Sequence, residues 1–173
     1  PSVALICATL NGGAGIACQR QYIALKNAGF TTSLFTAFPS EDSYVIPLLL
    51  SRESLLKSED IYTFYEENTF TQATPSSSYI GDELFSTANT FVDWEASARQ
   101  LEAFDIIHVH WSTCTIDFPL FCEKFANKPV FWTLHDMNLF TGGCHYSQGC
   151  NAYASTSCRE CHLFSEEQNL TAR

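Results

Sequence analysis

The apolar positions at the start of the chain follow first a strand period and then a helix period. Residues 3–10 form a continuous apolar run with branched side chains, which is typical of a strand buried on both faces. Apolar residues recur near helical spacing over residues 16–28, and Gly29 follows where a glycine commonly ends a helix. Residues 31–38, rich in Thr and Phe, predict a second strand. A strand, a helix and a strand in this order predict a parallel sheet.

The same alternation returns later in the chain. Residues 94–103 have helical spacing, and residues 104–111 alternate as a strand does. Residues 118–125 predict a short helix, and residues 130–134 predict a further strand. The pattern therefore predicts the α/β class, with a Rossmann-like parallel sheet flanked by helices.

The middle of the chain carries a weaker pattern. Residues 40–89 mix acidic and aromatic residues without a clean period, and a loop is indicated at residues 74–78. The total length suits one α/β domain and is too short for two, so we expect residues 1–173 to form a single domain with a Cys-rich segment at residues 141–163. The first residue is not Met and no stop signal marks the end, so we expect a fragment of a longer protein.

Composition excludes several classes of function. The formal net charge of -10 leaves no basic surface for a nucleic acid, so no nucleic-acid partner is expected. No run approaches the roughly 20 apolar residues of a membrane-spanning helix. The chain does not start with a signal peptide, and we therefore predict a cytoplasmic location.

A glycine turn separates the first predicted strand from the first predicted helix. Gly12, Gly13 and Gly15 lie where free backbone N–H groups and the helix dipole favour a negative group or a hydroxyl-rich ligand. As a dinucleotide fingerprint the turn is incomplete, because Cys18 occupies the third glycine position and no acidic residue follows the second strand. The alternative is a tight turn whose glycines serve geometry alone.

Polar residues follow two of the predicted strands at their carboxyl ends. His135 and Asp136 come directly after residues 130–134, at the edge where open α/β sheets place their ligands. We predict that His135 hydrogen-bonds a sugar hydroxyl or positions a reacting group. The alternative is that Asp136 caps a following turn while His135 packs.

Two further histidines alternate with apolar residues in the strand before. His108 and His110 therefore share one face of that strand. His110 and Trp111, at the end of the strand, are predicted to line a binding site. For His108 we expect a partnered histidine of the core or of an interface.

The eight cysteines divide into two groups. Four occur singly in apolar segments, where we expect small buried hydrophobic residues: Cys7, Cys18, Cys114 and Cys122. The other four lie close together and end in a Cys-x-x-Cys pair, which is typical of tetrahedral zinc: Cys144, Cys150, Cys158 and Cys161. With four ligands such a zinc would be structural.

Other chemistry remains open for this second group. The spacing of the first two cysteines is wider than in common zinc ribbons, and His145 or His162 could replace a thiolate. An iron-sulfur cluster and two disulfides are the alternatives, and a cytoplasmic setting disfavours disulfides.

Several motifs occur together in a characteristic order. The sequence KPVFWTLHDM at residues 128–137, FTGGCHYS at residues 140–147 and the later cysteines resemble bacterial glycosyltransferases of family four. NGGAG at residues 11–15 and FDIIHVHW at residues 104–111 support the resemblance. Such enzymes are retaining transferases with the GT-B fold, in which two Rossmann-like domains face each other across a cleft.

The resemblance implies that this chain is the N-terminal, acceptor-side domain. A nucleotide-sugar would be the donor, bound mostly by a C-terminal domain absent from the chain, and the acceptor would be a saccharide or a lipid-linked sugar in surface polysaccharide synthesis. The resemblance places Gly12, Gly13 and Gly15 near the donor phosphates and His135 at the transferred sugar, with Asp136 beside it. It implies no catalytic metal, and it implies that the domain alone is inactive.

One position departs from the family's pattern, since Asn138 stands where an aromatic residue is usual after Asp-Met. The resemblance leaves peripheral membrane association of the full-length protein open. Two other classes of function also stay open: a non-catalytic interaction module stabilised by zinc, and a Rossmann domain that binds a nucleotide cofactor.

Overall fold

A computed structural model describes residues 1–57, 60–71, 84–155 and 158, without the side chains of residues 55–57. The strands in these residues are β1 (Ser2–Cys7), β2 (Thr31–Thr36), β3 (Val45–Pro47), β4 (Thr69–Phe70), β5 (Phe85–Ser86), β6 (Ile106–Val109) and β7 (Val130–Trp132). The α-helices are α1 (Gly12–Asn27), α2 (Arg52–Lys57), α3 (Ile61–Asn68), α4 (Trp94–Leu101) and α5 (Phe118–Lys124).

Five of the strands form one parallel sheet in the order β3-β2-β1-β6-β7. Strand β1 pairs on both sides, with β2 and with β6. Its residues after Ser2 are buried, because helices and loops cover both faces. The predicted Rossmann-like α/β class is confirmed. Strands β4 and β5 form a separate antiparallel pair.

The predicted elements exist, and their ends differ by a few residues. The strands β1, β2, β6 and β7 all end two or three residues before the predicted ends. Past these ends the backbone no longer pairs as a strand and instead forms hydrogen bonds between loops. For example, the N–H of Ala8 donates to the carbonyl oxygen of Trp111 at 2.7 Å. Helix α1 begins at Gly12, within the glycine turn, and ends before Gly29, whose φ of +86° confirms the predicted glycine end.

Each face of the sheet packs against its own apolar cluster. On one face Cys18 and Tyr22 of α1 pack with Leu5 and Leu34. The other face carries a larger cluster that includes Trp94 of α4 and aromatic residues of α5. No helix in the described part of the chain is long and apolar enough to cross a bilayer.

The prediction for the isolated cysteines holds at three of four positions. Cys7, Cys18 and Cys114 are buried, whereas Cys122 is exposed, and its predicted burial is wrong. On α5 the buried residue is Phe121, and the next position points about 100° around the helix axis. Cys122 therefore lies off the buried face of the helix, although its neighbours in the sequence are apolar.

The middle of the chain contains the elements that the pattern did not define. They are short, and aromatic contacts hold them to the core. The ring of Phe91 packs edge-on against Phe38 and Phe64, with ring centroids 5.2 and 5.6 Å apart. Asp60 caps α3 by accepting hydrogen bonds from the backbone N–H groups of Tyr62 and Thr63. The loop predicted at residues 74–78 lies outside the described residues.

Candidate functional site

The topology brings the predicted site residues to one edge of the sheet. Strands β1, β6 and β7 are parallel neighbours, so their carboxyl ends meet at the same edge. The glycine turn follows β1, Trp111 follows β6 and His135 follows β7. We call this edge the site rim.

The three glycines of the turn differ in what the backbone requires. Gly12 has a φ of +78°, which favours glycine, and it is exposed. Gly15 is buried, and an added Cβ would lie 2.3 Å from the carbonyl carbon of Leu10. An added Cβ on Gly13 would meet nothing within 4 Å. Backbone geometry therefore explains why Gly12 and Gly15 are glycines. Gly13 is not required by geometry and faces open space.

Within the part of the chain that the structure describes, no side chain caps the first turn of α1. The side chain of Asn11 makes no capping hydrogen bond, and Gly12 and Gly13 are exposed. Free N–H groups at the positive end of a 16-residue helix attract negative or hydroxyl groups. This end of the helix lies on the site rim beside the residues that follow β6.

A small, solvent-open cleft lies over the ends of β6 and β7. Its walls include four of the predicted site residues and Asn138: His110, Trp111, His135, Asp136 and Asn138. His135 is half-buried, so its ring lines the cleft without being sealed in the interior.

A chain of hydrogen bonds runs from the cleft into the sheet. Nε2 of His135 lies 3.0 Å from Nδ1 of His110, and Nε2 of His110 lies 2.7 Å from Oε1 of Gln21 on α1. Nε2 of Gln21 lies 2.9 Å from Nδ1 of His108, whose Nε2 is 2.8 Å from Oγ1 of Thr133. Both nitrogens of His108 and of His110 are therefore occupied by protein partners.

Burial holds His108 and His110 neutral at physiological pH. Burial and, to a lesser extent, the neighbouring imidazoles of His108 and His135 together lower the pKa of His110 to about 4. Burial also lowers the pKa of His108. The three rings stack, with centroids 4.9 Å apart for His108 and His110 and 5.2 Å apart for His110 and His135. At neutral pH, His110 therefore has one N–H and one lone pair.

Asp136 belongs to a second hydrogen-bonded cluster. Its Oδ2 accepts from Nδ1 of His145 at 2.6 Å and from Nε1 of Trp111 at 3.2 Å, and its Oδ1 accepts from the backbone N–H of Asn138 at 2.9 Å. Burial raises the pKa of Asp136, but these hydrogen bonds outweigh burial, and the net pKa lies below the ordinary value. Asp136 is therefore a carboxylate that joins the site rim to the segment carrying His145.

The cluster contains the residue types of a hydrolase triad in a form that cannot act as one. Oγ of Ser86 lies 3.1 Å from Nε2 of His145, which in turn bonds Asp136. Ser86 is fully buried, so no substrate reaches its hydroxyl. The side-chain amide of Asn138 donates to Oγ of Ser86 and to the carbonyl oxygen of Gly143. This cluster holds loops together.

The structure thus brings together the predicted residues with two that the sequence pattern did not select, Gln21 and Thr133, and with His145, which the pattern indicated only as an alternative metal ligand. Gln21, Thr133 and His145 complete the two clusters. Gln21 gave no signal, because a polar residue on a helix is usually solvated. The cap predicted as an alternative role for Asp136 is present at Asn138. Contact of Gly13, His135 or Asp136 with a substrate stays a prediction.

The described cysteines do not by themselves form a metal site. Cys144 is buried, Cys150 and Cys158 are half-buried, and Cys158 packs against Gly142. Among the described residues, no group of three or more His, Cys, Asp or Glu could hold a metal ion. Cys161, the fourth predicted ligand, lies outside the described residues. Zinc stays a prediction from the spacing.

Comparison with known proteins gives one partial similarity. Over 62 residues the chain is 37% identical to the protein named "Putative colanic acid biosynthesis glycosyl transferase WcaC" of Escherichia coli (strain K12). These residues make up 34% of this chain and 15% of that protein, so the match spans a small part of its length. No family model matches the chain, and no solved structure matches it.

Proposed function

We propose that this chain is the N-terminal domain of a glycosyltransferase that acts in polysaccharide synthesis. The observation that carries the proposal is that an uncapped glycine turn and His135 lie on the same edge of the parallel sheet, where His135 lines an open cleft. The partial similarity to a colanic acid glycosyl transferase supports it. The resemblance of the motifs to family four suggests a retaining GT-B enzyme, with a saccharide or lipid-linked acceptor.

The described residues suit one wall of such an active site. A transferred sugar passes through a state with positive charge on the ring while negative charge grows on the leaving phosphate. The N–H groups at the start of α1 would favour the phosphate, and His135 would contact the sugar, backed by the neutral ring of His110. The nucleotide would be held mainly by a second domain outside this chain, and the reaction would take place in the cytoplasm.

The first test is the loss of transfer when His135 is removed. In the enzyme that carries both domains, His135→Ala should lower kcat about 100-fold, because a group that contacts the reacting sugar is lost. Sugar transfer from the nucleotide-sugar is measured by product formation. Phe131→Ala is the matched control, since Phe131 lies on β7 but is 55% exposed and is not a wall of the cleft. Wild-type turnover by a folded His135→Ala enzyme would remove His135 from the mechanism.

We further propose, from spacing alone, that Cys144, Cys150, Cys158 and Cys161 hold one structural zinc ion. The ion would fix the Cys-rich segment beside the site rim, because His145 in that segment bonds Asp136. Metal analysis of freshly purified protein checks this. We expect one zinc ion per chain, and a zinc content far below that would contradict the proposal.

A further inference from the structure

We propose that Gln21 is a positioning residue, which sets the tautomer of His135 through His110 so that His135 offers Nδ1 as an acceptor to a sugar hydroxyl. This inference rests on the proposed function for its substrate class. Its structural part, the tautomer, can be tested without any transfer reaction.

The tautomers follow from the chemistry of the partners, starting at Gln21. The Oε1 atom of a glutamine only accepts hydrogen bonds, so Nε2 of His110, 2.7 Å away, carries the hydrogen. His110 is buried and neutral, so its Nδ1 then has only a lone pair. Because Nδ1 of His110 faces Nε2 of His135 at 3.0 Å, the hydrogen of that bond belongs to His135.

The far end of the network accommodates the amide of Gln21 in this orientation. Nε2 of Gln21 donates to Nδ1 of His108 at 2.9 Å, so the hydrogen of His108 is on Nε2. That N–H donates to Oγ1 of Thr133 at 2.8 Å. All four contacts are satisfied in one direction, from His135 to Gln21 and from Gln21 to Thr133.

The consequence for the cleft is that Nδ1 of His135 carries a lone pair. With its hydrogen on Nε2, the neutral form of His135 keeps Nδ1 as an acceptor, and no hydrogen bond joins Nδ1 to another residue in the described part of the chain. A lone pair accepts from a hydroxyl and repels a phosphate oxygen. His135 therefore suits a sugar hydroxyl, and the donor phosphates are left to the start of α1.

The reversed amide would give the opposite site. With Nε2 of Gln21 toward His110, His110 would donate from Nδ1 to His135, and His135 would keep its hydrogen on Nδ1. His135 would then present a donor to the cleft. The two arrangements are thus distinguished by which nitrogen of His135 is protonated.

The test is nitrogen NMR of the chain labelled with ¹⁵N-histidine at pH 8, where the ring shifts identify the protonated nitrogen. We expect His135 of the wild type to be protonated at Nε2. In Gln21→Leu, His110 loses its acceptor, and His135 should show averaged shifts of both tautomers. Protonation of wild-type His135 at Nδ1 overturns the proposal, and so does an unchanged His135 in Gln21→Leu.

Gln21→Glu is the matched variant that keeps the acceptor. A carboxylate accepts from Nε2 of His110 as the amide oxygen does, so His135 should stay protonated at Nε2. The second carboxylate oxygen faces His108, which should move its hydrogen to Nδ1. A changed His135 together with an unchanged His108 in this variant would contradict the proposal, and the variant also serves if Gln21→Leu fails to fold.

Turnover separates this inference from the proposed function. In the enzyme with both domains, Gln21→Leu should lower kcat at least about tenfold, because it removes the acceptor that fixes the tautomer of His135. Gln21→Glu keeps an acceptor and should retain most of the wild-type kcat. If the wild-type enzyme transfers no sugar, the proposed function fails while the tautomer result stands. If His135→Ala keeps full turnover, the contact of His135 with the sugar is wrong. If His135→Ala is inactive and Gln21→Leu has wild-type kcat, the positioning role of Gln21 is wrong.

Discussion

At the scale of single residues, the glycine turn separates two roles that look alike in the sequence. Gly15 lies against the backbone of Leu10, whereas Gly13 faces open space. The turn therefore combines a glycine required for packing with a glycine that leaves a ligand room. A sequence motif shows both only as glycines.

We predict that Gly15→Ala destabilises the fold and that Gly13→Ala does not. The new Cβ of Gly15→Ala would lie 2.3 Å from the carbonyl carbon of Leu10, which forces α1 away from β1 and costs about 1–3 kcal/mol. Gly13→Ala meets no atom and should change the free energy of unfolding by less than about 1 kcal/mol. Urea unfolding of both variants measures the difference, and equal stability would contradict the close approach.

The histidines show what residue patterns predict. His135 was identified because a polar residue directly after a buried strand stands at the ligand edge, which is a local property. The partnered state predicted for His108 is confirmed by its bonds to Gln21 and Thr133. Gln21 was missed because its partners lie 87 and 89 residues away in the sequence.

At the scale of elements, Asp136 links β7 to the segment that follows it. Its carboxylate accepts from Trp111 after β6 and from His145, whose ring also contacts Ser86 of β5. Through Asn138 the same cluster holds Gly143. One carboxylate thus joins two strands of the parallel sheet to the small antiparallel pair.

We predict that Asp136→Asn lowers the free energy of unfolding by about 3 kcal/mol, because it removes the charge and leaves an amide donor facing either the N–H groups of His145 and Trp111 or the backbone N–H of Asn138. The control is Asp117→Asn, the same change at the cap of α5, where asparagine also accepts from the N–H of Leu120. This control should change stability by less than about 0.5 kcal/mol. Chemical unfolding checks both variants. A loss of stability in Asp136→Asn as small as that of the control would show that the Asp136 cluster is not structural.

At the scale of the whole molecule, the histidine chain makes stability depend on pH. The pKa of His110 is about 4 in the folded state, below the ordinary value of about 6.5 in the unfolded state. Between these values the unfolded state binds more protons, so stability falls as the pH falls from about 6.5 to about 4. The lowered pKa of His108 acts in the same direction.

We predict that His110→Asn weakens this pH dependence. One proton bound only by the unfolded state changes the free energy of unfolding by up to about 1.4 kcal/mol per pH unit, and the variant lacks that proton. Unfolding free energies at pH 7, 6 and 5 give the slope for both proteins. A variant with the wild-type slope would show that His110 is not held neutral.

The order of strands and helices was determined by the sequence itself. Apolar period and the residues at strand ends are written in neighbouring positions, and they sufficed to predict the parallel sheet and the place of His135 on its edge. The partners of each polar group were decided by the tertiary structure. Which face of α1 meets β6 sets the bond from Gln21 to His110, and which face of α5 meets the core exposes Cys122. Such contacts depend on packing between distant segments, and no local period records them.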